Sequence, residues 1–185
     1  MASPTQKRKR PDKFEHFLNR AKVAAEMSTC LRRRIGAIIV KDGVELSSGY
    51  VGSPRGTEHC TDIGKCLRKE LGIPPGERYE LCRSVHAEQN AIINAVRIGV
   101  NIVGGEMYLH SERIKGQYNA KRGETSRIYG PCIICTKMII NAGLTAVHMK
   151  EEGAGVKSYT LEDLKRKLSE EEAEMKRAFK KPKRP

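Results

Sequence analysis

Apolar residues fall at helical spacing between residues 12 and 28, where Phe14, Phe17, Leu18, Ala21, Ala24 and Ala25 form one stripe able to pack on a sheet. The period then changes. Residues 35–40 (IGAIIV) are a β-branched run, Lys41, Asp42 and Gly43 supply turn chemistry, and residues 44–50 return beside the run as a hairpin. From residue 51 to residue 83 regular patterning stops, and glycines and prolines punctuate the chain around one short helix expected at 62–71. A loop of that length inside a compact domain calls for a staple.

Regular patterning resumes with Ser84 as the expected N-cap of a helix running to about Ile98, which places His86 and Glu88 in its first turn. Gly104 and Gly105 introduce a strand at 107–110. Pro131 suits a first helical position, so Cys132 and Cys135 belong to the first turn of another helix, ending near Asn141, Ala142 and Gly143. Residues 145–149 read as the next strand, and 161–179 as a charged helix with Leu161, Leu164, Leu168 and Met175 on its sparse apolar stripe. Strand, helix, strand implies parallel pairing, whereas the hairpin is antiparallel. The expected architecture is therefore an α/β fold with a mixed sheet covered by helices. It divides into a basic tail without fixed structure at 1–11, one catalytic domain at 12–158, and a charged helix with a basic tail at 159–185.

The length of 185 residues suits one domain. No apolar run is long enough for a membrane span or a secretory signal, so a soluble, cytoplasmic protein is expected, with a nuclear location left open by the basic ends. Six cysteines in such a compartment point to metal ligation or catalysis rather than disulfides. Ten of the thirteen net positive charges lie in residues 1–11 and 176–185, which leaves the core with little excess. Together with 5% aromatic residues, that makes a nucleic-acid stacking platform the less favoured reading of the charge.

The chemistry concentrates in two short motifs. Cys132 and Cys135, spaced as a pair at a helix start, can present both sulfurs to one ion, and His86 completes a set of three. Three protein ligands leave a tetrahedral position for water, which marks a catalytic rather than a structural zinc. Glu88, two residues after His86, reaches the same cleft without binding the metal and can carry protons. Histidine, glutamate and a paired cysteine motif form the signature of zinc deaminases.

Residues 29–40, 49–54, 58–60, 81–91 and 130–135 together resemble the deoxycytidylate deaminase family, over about residues 14–149. The resemblance implies a cytidine-deaminase-like three-layer α/β/α sandwich, hydrolysis of dCMP to dUMP and ammonia, and homo-oligomers, often hexameric. It also implies a structural zinc, for which Cys30, Cys60, Cys66 and Cys82 are the candidate ligands, with His59 able to replace one of them; the alternative is four reduced thiols. Some relatives set an arginine on the nucleotide phosphate, and Arg32 holds the matching position. Ala87 can offer its backbone N–H to the pyrimidine. Two departures bear on the substrate: Val51 replaces the family's usual asparagine, and residues 111–130 insert a basic loop, read either as a lid for a more highly charged nucleotide such as dCTP or as a surface insertion. Deamination of a base in RNA or single-stranded DNA, and a zinc-stabilised binding module without turnover, are the competing functions.

Overall fold

A computed structural model of the protein describes residues 10–74, 77–114, 130–153 and 155–180. Helix α1 (Lys13–Glu26) leads into a hairpin of β1 (Arg33–Lys41) and β2 (Val44–Tyr50), turned at Asp42 and Gly43, both at positive φ. Two short helices, α2 (Cys60–Ile63) and α3 (Leu67–Glu70), and a 3-10 turn (Tyr79–Leu81) precede α4 (Ala87–Arg97). Strand β3 (Glu106–Arg113), α5 (Ile133–Asn141), β4 (Ala146–Glu151), β5 (Gly155–Thr160) and α6 (Leu161–Lys180) follow. The single helix expected at 62–71 is two helices, because Gly64 takes a left-handed conformation and ends the first.

The sheet order is β2-β1-β3-β4-β5, with β3 and β4 parallel and the other pairs antiparallel. The mixed sheet therefore matches expectation. Strand β5 does not appear in the sequence pattern, and it runs across the expected boundary at residues 158 and 159. Strand β3 extends past its expected end at His110, since Ser111, Glu112 and Arg113 keep pairing with Ile35, Arg34 and Arg33. That removes the first residues of the expected insertion from loop structure; residues 115–129 lie outside the described residues, as do 1–9 and 181–185 of the two expected tails.

One sheet face carries Ile38, Val40 and Tyr108 against Phe17, Leu18 and Ala21 of α1. The other carries Ala37, Ile39, Met107, Leu109 and Val147 against Ala91 and Ala95 of α4, Cys135 and Ile139 of α5, and Leu164 of α6. Three layers result. Close approach on each face depends on a glycine: a Cβ at Gly36 would lie 2.2 Å from the Ala21 carbonyl oxygen of α1, and one at Gly49 would lie 2.3 Å from the Ala91 nitrogen of α4. Among the described residues no helix is long and apolar enough to cross a membrane.

Candidate active site

The site lies where α4 and α5 begin, on one side of the sheet. The helix starts differ from the expected ones by a residue or two, with a chemical consequence. Ser84 does not cap α4, because Val85 after it exchanges backbone hydrogen bonds with Gly52 (3.2 and 2.8 Å) and the helix starts only beyond that bridge. His86 is the N-cap instead, and its N–H donates to Gln89 Oε1 at 2.9 Å. Cys132 likewise caps α5, so Pro131 stands before the cap rather than in the first turn. Glu88 and Cys135 occupy the first turns proper, while His86 and Cys132 stand at the two caps and face each other.

His86 Nδ1 lies 3.4 Å from Cys132 Sγ and 3.3 Å from Cys135 Sγ. These three ligand atoms all sit within 4.8 Å of one another. Two sulfurs and one imidazole nitrogen at such spacing fit a tetrahedral zinc with one position left over, needing only slight closure to ligand distances of about 2.0–2.3 Å. The Cys132 thiol is driven well below its ordinary value, first by the hydrogen bond from Cys135 and then by the hydrogen bond and charge of His86. Cys135 is pushed up by that same bond and by burial. Of the two thiols, Cys132 is the one whose surroundings favour the thiolate that a metal needs.

Glu88 is 7% exposed, and burial first of all raises its carboxyl above the usual carboxylate range, with the His86 charge opposing. The Cys135 side chain also holds that rise back. Tyr79 packs its ring edge-on to His86 at 5.2 Å, and the buried Arg68 guanidinium lies 4.6 Å from the Tyr79 ring centroid while donating to the carbonyls of Pro74 and Glu77. The irregular segment between β2 and α4 is therefore held against the ligand histidine by one buried arginine. Neither Tyr79 nor Arg68 stands in a motif, and only the folded loop brings them to the site.

All of this opens on a cavity of about 440 Å³. Arg32 and Val51 line it with His86, Glu88 and Cys132. Cys30, Cys60, Cys66 and Cys82 line it too, and Cys30 and Cys66 are near enough to Cys82 to add to the rise that burial gives its thiol. The four thiols do not, however, bring three sulfurs within 4.8 Å of one another. His59 does not reach the cavity lining, and its Nδ1 is 3.2 Å from Thr29 Oγ1. Ala87 is fully buried in the core beneath the site and does not line the cavity, so its backbone N–H, in the first turn of α4, meets a substrate only if the start of that helix opens. Lys167 of α6 reaches the cavity from the far end of the chain and donates to the Pro131 carbonyl, just before Cys132.

The sequence model of the cytidine and deoxycytidylate deaminase zinc-binding region matches residues 11–151. The chain belongs to this deaminase family. A deoxycytidylate deaminase of Schizosaccharomyces pombe is 29% identical over 138 residues, 75% of this chain and 37% of that one. The ComE operon protein 2 of Bacillus subtilis is 33% identical, again over 75% of this chain and 59% of its own length. The deaminase chain described here thus spans less than two thirds of either relative. The crystal structure of the dCMP deaminase of cyanophage S-TIM5 in complex with dCMP and dUMP superposes with a TM-score of 0.54 at 27% identity, covering 78% of this chain and 85% of that chain. The three-layer α/β/α architecture is therefore that of the deaminase family. Within it, the zinc-binding region contains the His86, Cys132 and Cys135 set.

Proposed function

We propose that the chain hydrolyses a deoxycytidine nucleotide, dCMP before dCTP, to the corresponding uracil nucleotide and ammonia. His86, Cys132 and Cys135 hold a zinc ion in this reading, and Glu88 moves the protons. The observation that carries it is the buried Glu88 carboxyl beside three candidate metal-ligating atoms, of which those of His86 and Cys132 line the same nucleotide-sized cavity as Glu88. A zinc ion bound there supplies Lewis acidity, which brings the pKa of water down to about 7.

Glu88 accepts a proton from the attacking water and delivers it to ring N3. It then carries the second proton to the amine, so that the C4–N bond breaks, C4 keeps the water oxygen, and ammonia leaves. Burial matters here, because it raises the carboxyl above its usual range and makes it a better proton acceptor than an exposed carboxylate. Arg32 binds the phosphate with its forked guanidinium. The Ala87 N–H meets the pyrimidine, and Val51 supplies apolar contact without a hydrogen bond to the sugar.

The presence of Cys30, Cys60, Cys66 and Cys82 on the wall of one cavity supports a second, structural zinc, which would have to draw the four sulfurs together. Exposed Val96, Ile98 and Val103 support a cytoplasmic homo-oligomer that covers them. Ammonia release from dCMP, dCTP, CMP and cytidine, measured in parallel with Glu88→Ala as the control, tests the substrate assignment: dCMP is expected to give the highest kcat/KM, and turnover of cytidine alone would remove Arg32 from its phosphate role.

A further inference from the structure

On the sheet face opposite the catalytic cavity, β3 carries a histidine that the deamination chemistry does not use. His110 pairs in register with Gly36 of β1 and Lys150 of β4. The absent Cβ at Gly36 lets α1 close down on the sheet beside it, and His110 is left 2% exposed. Neither of its ring nitrogens has a hydrogen-bond partner among the described residues. Leaving such a group unsatisfied in the interior is costly, and a fold retains it only where something else meets it.

Two carboxylates stand where that something would bind. Glu112 lies two residues further along β3, on the same face as His110. Glu152 follows β4, and its backbone N–H donates to the Ser111 carbonyl at 3.0 Å, which fixes it beside the end of β3. A ring nitrogen of His110 and one oxygen from each carboxylate all lie within 4.8 Å of one another. Three donors around one first-row cation stand about 3–3.5 Å apart, so small side-chain rotations close the set. Glu152 is exposed, which gives an ion and its remaining waters a way in from solvent.

We propose that His110, Glu112 and Glu152 form a divalent-cation site, separate from the deaminase centre and on the opposite side of the sheet. One imidazole nitrogen and two carboxylate oxygens make a harder donor set than the two sulfurs and nitrogen at the catalytic site. It suits Mn²⁺, and admits Zn²⁺ or Co²⁺, where the thiol site selects Zn²⁺. Lys22 of α1, Lys150 of β4 and Arg34 of β1 face the same cluster and, three against two, more than offset its negative charges. Affinity therefore depends on the imidazole and on geometry more than on net charge. A bound cation links β3 to the segment after β4 and fills the unmet valence of His110.

Mn²⁺ titrated into the zinc-loaded protein, with free Mn²⁺ read by electron paramagnetic resonance, tests the site without disturbing the thiols. About one Mn²⁺ per chain is expected at saturation. Glu152→Gln, on the surface, is expected to weaken binding roughly tenfold or more, since even outer-shell losses cost ~10–100-fold, with zinc content unchanged. Glu112→Gln is expected to act alike, and His110→Phe to abolish uptake. No saturable uptake by the wild-type protein at millimolar Mn²⁺ would overturn the proposal. So would uptake that is unchanged in Glu112→Gln and Glu152→Gln, an outcome that holds even if the His110 variant does not fold.

Discussion

Glu88 and His148 show how burial sets the chemistry of single residues on the two faces of this sheet. Glu88 gains a raised carboxyl beside the ligand cluster, whereas His148 lies between the rings of Phe14 and Tyr108, at 4.9 and 4.8 Å, and its ring is held below the ordinary histidine range. Burial is the larger cause for His148, and Glu106 at 3.4 Å opposes it only in part. The unfolded chain takes its proton near pH 6.5, before the folded form does, so His148's contribution is intact above about that pH and is lost as pH falls from there through the folded value. Urea midpoints at about pH 7.5 and about pH 5.5 should fall on acidification, and the fall should be smaller in His148→Asn. An equal fall in both proteins would contradict this. His86 and Glu88, and Cys132 and Cys135, were legible as candidates because each pair is close in sequence. Arg68, Tyr79 and Lys167 were not, because only tertiary folding brings them to the site.

Elements register where their chemistry is written locally and shift where it is shared. Helices α4 and α5 both begin later than Ser84 and Pro131 suggest, with His86 and Cys132 at the capping positions. Strand β5 escaped notice because nearly all of it is exposed, so residues 155–160 carry no alternation to read. The alternating pattern of the hairpin was readable, but its two glycines mean more than the pattern shows. Gly49→Ala would drive a Cβ into the backbone of α4, and a destabilisation of about 3 kcal/mol is expected from urea unfolding. Gly36→Ala should cost a similar amount against α1. A change below about 0.5 kcal/mol at Gly49 would mean that α4 sits further from β2 than described.

At the scale of the whole molecule, most of the net charge lies toward the two ends of the sequence. Ten of the thirteen net positive charges lie in residues 1–11 and 176–185, while the cavity is lined from the sheet, from helices α2, α3, α4, α5 and α6 and from the segments between them. Turnover of a mononucleotide is therefore expected to change less than about tenfold between roughly 50 and 200 mM salt, where a partner contacted through six to ten phosphates loses about 10³–10⁵ in affinity. A steep loss of kcat/KM over that range would favour a polymeric substrate. The fold class was legible because the strand, helix, strand order around the paired cysteines permits parallel pairing with one cover layer, and the apolar stripe of α1 demanded the other.

Ammonia release from dCMP, measured with zinc content on the same samples of wild type and Glu88→Gln, tests the central claim most directly. The zinc is expected to stay while turnover falls by about 10²–10⁴-fold, as for loss of a general acid–base. Turnover that survives in Glu88→Gln at full zinc content, or zinc that departs with the carboxyl, would contradict a catalytic ion held by His86, Cys132 and Cys135 and served by Glu88.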